Sequence, residues 1–238
     1  MSDPVPVKKE QGHLHPITAM IREITTIFGE LGFAVGEGPE LETEHYNFDA
    51  LNVPAHHPSR DMQDTFWLKP KSDGKLLRTH TTSVSARALA QFNDVPIRTI
   101  FPGKVFRNEA TDATHEAQFF QLDAVYVDRD VSLAHLKGTL EYFFKKLLGD
   151  DVQLRFRPSF FPFTEPSIEI DIMFRGKWLE VMGGGMIQPN VMKTAGIDHT
   201  KWQGFAFGGG IDRLVMIKHG IDDIRLLYSG DLRLVNQF

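Results

Sequence analysis

The 238-residue chain is 42% hydrophobic and 24% charged, the make-up of a folded globular protein, which excludes collagen-like, low-complexity and membrane-spanning chains. Its net charge of −5 is uneven: three basic residues stand against nine acidic ones over residues 1–50, so charge alone marks no nucleic-acid footprint. Cysteine is absent, which removes disulfide scaffolds, thiolate zinc sites and thiol catalysis together.

Residues 1–12 are polar and Pro-containing without an apolar segment of signal-peptide type, and read as a flexible arm of a cytoplasmic protein. Residues 13–238 read as one domain, because no linker, repeat or low-complexity tract interrupts them. The first long helix starts near Pro16, carries Ile17, Met20, Ile24, Ile27, Phe28 and Leu31 at helical spacing, and stops at Gly32. An acidic, turn-rich stretch follows, then a loop with His56, His57 and Arg60. Thr82 or Ser83 is placed to cap a short helix reaching Phe92.

From Val95 onward the period is mostly two, with strands expected at Ile97–Arg107, Phe119–Asp128, Ser167–Phe174, Trp178–Met182 and Gln203–Phe207, and one helix from Ser132 to Leu148. Several strands with few helical crossovers predict an α+β fold, a mostly antiparallel sheet flanked by helices. Parity then separates the sheet faces. Phe119, Gln121 and Asp123 share a side opposite Phe120, Leu122 and Ala124, so a polar pair sits among apolar residues as the floor of a site. On Ser167–Phe174 an isoleucine face opposes an acidic face holding Glu169 and Asp171, expected to lie in its outer, solvated part.

Two motifs carry chemistry. Arg107 and Glu109 lie on one side of a strand end, before a polar loop with Asp112 and His115. A guanidinium fork there can clamp a phosphate, although Arg-x-Glu alone is equally a surface ion pair worth about 0–1 kcal/mol. Further on, Phe207-Gly-Gly-Gly-Ile-Asp212-Arg213 places glycines before a helix whose first turn carries an arginine, a setting that admits a ligand close to the backbone and favours anions. The glycine spacing is neither that of a P-loop nor that of a dinucleotide fold.

A long helix leading to Gly-Pro, an Arg-x-Glu strand end and a glycine-rich strand entering an Asp-Arg helix, in that order, resemble the three motifs of class II aminoacyl-tRNA synthetases. Leu77-Arg-Thr-His80-Thr, Phe106 to Glu116, Phe119-Phe-Gln-Leu-Asp123, Phe161-Pro-Phe-Thr-Glu-Pro166 and Gly204-Phe-Ala-Phe207 narrow the resemblance to the bacterial phenylalanine–tRNA ligase alpha-subunit family, over about residues 10–238. The resemblance implies the class II catalytic fold. It also implies activation of L-phenylalanine by ATP to phenylalanyl-adenylate and pyrophosphate, then transfer to the 3′ end of tRNA(Phe).

It further implies roles. Arg107 would bridge the α-phosphate and the amino-acid carboxylate, and Arg213 would hold the γ-phosphate. Phe119 would stack on adenine, with Glu109, His115 and Glu180 contacting ATP. Glu165 and Glu180 would bind Mg2+, as two acids facing the nucleotide. His80, Thr82, Gln121 and Asp123 would hold the amino acid at its amino group, Phe161 and Phe163 would contact its ring, and Ala206 would form the pocket floor. Asp212 stands where the family usually has Glu, which leaves it a supporting duty, and Thr82 stands where a serine is common.

The family's tRNA-binding helical hairpin has no counterpart ahead of the first motif, so adenylate formation is expected to outlast tRNA charging in this chain alone. The broad apolar stripe of the first helix implies a subunit interface: with a beta subunit, as in the family's heterotetramer, or by self-association. Two other functions fit the same outline, a class II paralogue that binds an amino acid or nucleotide without catalysis, and a related ligase for another amino acid. Retention of Arg107, Arg213, Glu165 and Glu180 argues against the first, and the pocket residues Phe161, Phe163 and Ala206 against the second.

Overall fold

The structure is a computed structural model that describes residues 12–60, 65–93 and 95–238. The expected arm, residues 1–12, lies outside the described residues except for Gly12. In chain order the elements are α1 (Pro16–Glu30), β1 (Ala34–Val35), β2 (Leu41–Thr43), α2 (Glu44–Asn47), β3 (Lys75–Leu77), α3 (Thr82–Ala90), β4 (Ile97–Phe106) and β5 (Gln118–Asp128). They continue with α4 (Leu133–Leu148), β6 (Leu154–Phe161), β7 (Thr164–Phe174), β8 (Lys177–Ile187), α5 (Pro189–Thr194), β9 (Gln203–Gly210), α6 (Ile211–His219) and α7 (Leu232–Val235).

Seven strands form one sheet in the order β1-β4-β5-β9-β8-β7-β6, antiparallel throughout except where β1 runs parallel to β4. This is the α+β arrangement that the strand-rich sequence predicts. The strands expected from alternation are present, extended at their ends; β8 runs on through its glycines to Ile187 and β9 to Gly210. The short elements β1, β2, β3, α2 and α7 escape the pattern reading, and so do β6 and α5. The cap of α3 also differs: Thr81 occupies the N-cap position and makes no side-chain cap bond. Thr82 and Ser83 are already helical, and the Thr82 hydroxyl is turned to another partner described below.

One face of the sheet is covered by α1, α4 and α6. Phe28 of α1 stacks on Phe143 of α4 at 4.8 Å and on Phe207 of β9 at 5.6 Å. Leu122 and Ala124 of β5, Ile168, Ile170 and Ile172 of β7 and Phe205 of β9 complete this core. At about 25 cal/mol per Å2 of apolar area removed from water, this helix-covered layer dominates the stability of the fold. Because side chains alternate, burying Leu122, Ala124, Phe205 and Phe207 below the sheet sends Gln121, Asp123, Ala206 and Gly208 above it. The other face therefore becomes the floor of a cleft.

Asp171 and Glu169 of β7 are drawn into ion pairs and not left to solvent, contrary to expectation. Asp171 is 1% exposed; it accepts hydrogen bonds from Arg155 at 2.6 Å and from Arg157 at 2.6 and 3.0 Å. Arg157 also pairs with Glu169 at 2.7 Å. Both arginines come from β6, so a charge ladder crosses from the edge strand to the cleft. The hydrogen bonds from Arg157 hold the Asp171 carboxyl below the usual carboxylate range despite its burial.

Candidate active site

Three chambers open on the upper face of the sheet. The first, about 280 Å3, is lined by Glu109, His115, Phe119, Glu180, Arg213 and the β9 glycines, among others. The second, about 370 Å3, is lined by His80, Thr82, Gln121, Asp123, Phe161, Phe163 and Ala206 over the β8–β9 glycine lane. The third, about 410 Å3, lies among Phe48, His57, Ser59, Phe160, Phe161 and Pro162. Arg107, at the end of β4, lines all three. The structure thus brings together every site residue expected from the sequence except Glu165.

In the first chamber the cations rest on protein partners. Arg107 donates through Nε to the Thr79 carbonyl at 3.1 Å, stands 3.8 Å from Glu109 and lies 5.1 Å over the Phe119 ring. Arg213 donates to the Glu180 carbonyl at 2.9 Å from the first turn of α6. His115 is engaged by Asp112 at 3.0 Å in the exposed loop. That loop is an Asx-type turn, in which the backbone amide of Thr114 and the His115 ring hold the Asp112 carboxyl well below its ordinary range. Burial, with Glu169 nearby, pushes the Glu180 carboxyl up.

Asp212 supports this chamber from below, in the supporting duty expected of it. It is 2% exposed, accepts the Phe120 amide at 2.6 Å and accepts the Tyr228 hydroxyl in a short hydrogen bond. The shelf residue Phe119 is thereby tied through its neighbour's backbone to α6 and to the C-terminal segment. Burial pushes the Asp212 carboxyl up, and burial together with the adjoining Asp212 carboxylate pushes the Tyr228 phenol far up, so that the tyrosine donates.

The second chamber contains buried polar atoms without partners. His80 Nδ1 and Gln121 Oε1 are shielded from solvent and unpaired, a condition that costs about 1–3 kcal/mol for each buried group until something supplies the bond. Burial and the Arg107 cation push the His80 imidazole down to about 4, so it is neutral at pH 7. Asp123, 3% exposed, accepts the Thr82 hydroxyl at 2.8 Å and the Ser85 hydroxyl in a short hydrogen bond. Burial pushes its carboxyl up to about 7, against the lowering pull of those two donors.

Phe161 and Phe163 are stacked at 5.8 Å with planes 9° apart. Gly183 makes this possible: a Cβ there would stand 2.7 Å from the Phe161 ring. At Gly208 a Cβ would stand 2.7 Å from the Asp123 carboxylate. Both glycines are therefore required by close approach, and neither by backbone conformation.

Glu165 stands apart from the other expected site residues. It is exposed at the start of β7 and lines none of the three chambers, whereas Glu180 lines two. The cause is the alternation and bulging of β7, which send Thr164 and Ser167 inward and Glu165 outward. No group of three or more His, Asp or Glu that could hold a metal ion occurs among the described residues. Sequence reading also missed Ser85, Tyr228 and Gly183, and no local signal marks the first two, whose partners lie 38 and 16 residues away.

Comparison with known proteins adds independent findings. The family model for the tRNA synthetases class II core domain (F) matches residues 4–238. The phenylalanine–tRNA ligase alpha subunit of Synechocystis is 50% identical over 230 residues, covering 97% of this chain and 68% of the relative. That of Proteus mirabilis is 51% identical over 230 residues, with 96% and 69% covered. The solved pyrrolysyl-tRNA synthetase from Desulfitobacterium hafniense superposes with a TM-score of 0.71 at 18% identity, over 94% of this chain and 76% of that one, a likeness of fold.

Proposed function

This chain belongs to the phenylalanine–tRNA ligase alpha-subunit family of class II aminoacyl-tRNA synthetases, and from that premise we propose that its cleft joins L-phenylalanine to ATP, releasing pyrophosphate, and passes the phenylalanyl group to the 3′ end of tRNA(Phe). The observation that carries this reading is the position of Arg107 at the meeting point of three chambers. A reaction with three substrates needs one place where a phosphate, a carboxylate and an incoming hydroxyl meet.

ATP fits the first chamber. Its adenine takes the Phe119 face from the Arg107 guanidinium, its α-phosphate takes the guanidinium itself, and Arg213 turns from the Glu180 carbonyl to the terminal phosphate. The phenylalanine carboxylate approaches Arg107 from the second chamber and attacks the α-phosphorus, and pyrophosphate leaves in line. Positioning and charge stabilisation supply the rate, and no general base is required, because the nucleophile is already an anion. The ring lies between the Phe161–Phe163 pair and Ala206, whose methyl group limits the para position. The third chamber, with Phe160 82% exposed at its rim, offers the terminal adenosine of tRNA a path to Arg107 on the side away from the nucleotide.

Magnesium binds through one or two carboxylates and the phosphates it accompanies, and the Glu180 carboxylate, which lines both the first and the second chamber, fits that donor set. Bound there, the ion would neutralise phosphate charge. A beta subunit is the partner implied by the relatives' names as alpha subunits, and the activity belongs to the cytoplasm. No described helix is long and apolar enough to cross a membrane. The test is ATP–pyrophosphate exchange with each of the twenty amino acids: exchange with phenylalanine above all others is expected, and silence with phenylalanine overturns the reading.

A further inference from the structure

An amino acid enters the second chamber with an ammonium that carries three N–H donors and accepts nothing. The chamber must therefore present acceptors, and besides the Asp123 and Glu180 carboxylates and the His80 ring it holds two neutral oxygens. Gln121 Oε1 is buried and unpaired, an acceptor that costs free energy until a donor arrives. The other is the Thr82 hydroxyl, which is ambiguous by nature: a hydroxyl donates one bond and accepts others, and an outward-pointing proton would repel the ammonium.

The structure removes that ambiguity as long as Asp123 is ionised. Thr82 Oγ1 donates to Asp123 Oδ2 at 2.8 Å, and Ser85, one turn along α3, donates to Asp123 Oδ1. With its proton committed to the carboxylate, Thr82 offers only lone pairs to the pocket. We propose that Ser85 is a positioning residue for the substrate ammonium: by clamping one oxygen of Asp123 it commits the other oxygen to the Thr82 proton, and so sets the polarity of the hydroxyl that the ammonium meets. The proposal rests on the phenylalanine-activating reading of the cleft.

The surroundings support this division of labour. Asp123 is walled by Gly208 of β9, and the chamber it faces also contains His80 from the loop before α3, Gln121 of β5, Glu180 of β8 and Arg107 just past β4. His80 is neutral at pH 7, and neither arginine nor lysine forms an ion pair with Asp123 among the described residues. The two hydroxyls are thus the groups that favour the ionised carboxylate in the absence of substrate. Protonating Asp123 would supply a donor to Thr82 and reverse the hydroxyl's direction. Removing Ser85 takes away one of the two stabilising donors, so the carboxyl protonates at higher pH.

The experiment measures calorimetric binding of two probes to the full chain between pH 6 and 8.5: L-phenylalanine, and 3-phenylpropanoate, which has the same ring and carboxylate but no ammonium. Ser85→Ala is expected to weaken L-phenylalanine about tenfold at pH 7, to move upward the pH at which affinity falls, and to leave 3-phenylpropanoate unchanged. In an Asp123→Asn background the same substitution should add nothing, since it acts through the carboxylate. Ser85→Cys, close in shape and a weaker donor, should give the same pattern at smaller amplitude even if the alanine variant does not fold. Equal loss of both probes, a loss independent of pH, or full additivity with Asp123→Asn overturns the assignment. A parent chain that binds no L-phenylalanine instead overturns the proposed function, so the two failures are distinct.

Discussion

The chambers proposed for the nucleotide and for the amino acid share a sheet, an arginine and a lane of glycines, yet on that proposal they are prepared for their ligands in opposite ways. In the nucleotide chamber the working groups are already partnered, Arg107 with Phe119 and Thr79, Arg213 with a carbonyl and His115 with Asp112. A nucleotide must displace these placeholders, and each exchange returns only a difference between two interactions. In the amino-acid chamber His80 Nδ1 and Gln121 Oε1 have nothing to give up. A ligand there gains the whole of a bond that the empty site lacks, and an analogue without the matching group leaves a buried atom unpaired. That is the physical route to strong discrimination by polar groups.

This contrast can be tested from its strongest point downward. Arg107→Ala should abolish it, because both chambers lose the same cation: pyrophosphate exchange should fall by about 100- to 1,000-fold or more, and Arg107→Lys should recover little, since a point charge does not reproduce the fork. Gly183→Ala should separate the chambers. The added methyl group displaces the Phe161 ring, and at about 1–3 kcal/mol for overpacking the KM for phenylalanine should rise roughly 5- to 150-fold, well beyond any change in the KM for ATP. Ala206→Gly should sharpen the apolar side of the comparison by admitting para-halogenated phenylalanine, with discrimination against it falling about 10- to 100-fold in exchange assays; identical rejection by variant and parent would refute the floor assignment. His115→Ala should have the smallest effect. Its ring is exposed and already paired, so loss of a hydrogen bond worth about 0.5–1.5 kcal/mol should raise the KM for ATP by roughly 2- to 12-fold and leave that for phenylalanine unmoved.

The faces of β5 and β7 were legible from alternation alone, because one side of each strand is buried under helices and a shift of one residue would invert every side chain. The apolar core and the grouping of Phe119, Gln121 and Asp123 follow from that same parity. What alternation cannot show is β6. Leu154–Phe161 mixes two arginines with Pro158, and proline argues against a central strand; the structure places it on the sheet edge, where proline is tolerated. Missing β6 hid Arg155 and Arg157, and without them Asp171 looked solvated. The outward direction of Glu165 was hidden for a related reason, since the register is irregular where β7 begins. The roles of Ser85 and Tyr228 depend on contacts across distant segments and leave no mark in the local pattern.

Arg107 at the meeting point of three chambers has a consequence for the thermodynamics of substrate binding. Whichever of phenylalanine and ATP arrives first draws the guanidinium off the Phe119 ring and pays for its reorientation, and the second finds it already turned. The two affinities are then linked, and linkage is reciprocal: each substrate strengthens the other by one and the same factor. The cleft on this view behaves as a two-key device, in which synergy between substrates is a property of a single side chain at a strand end.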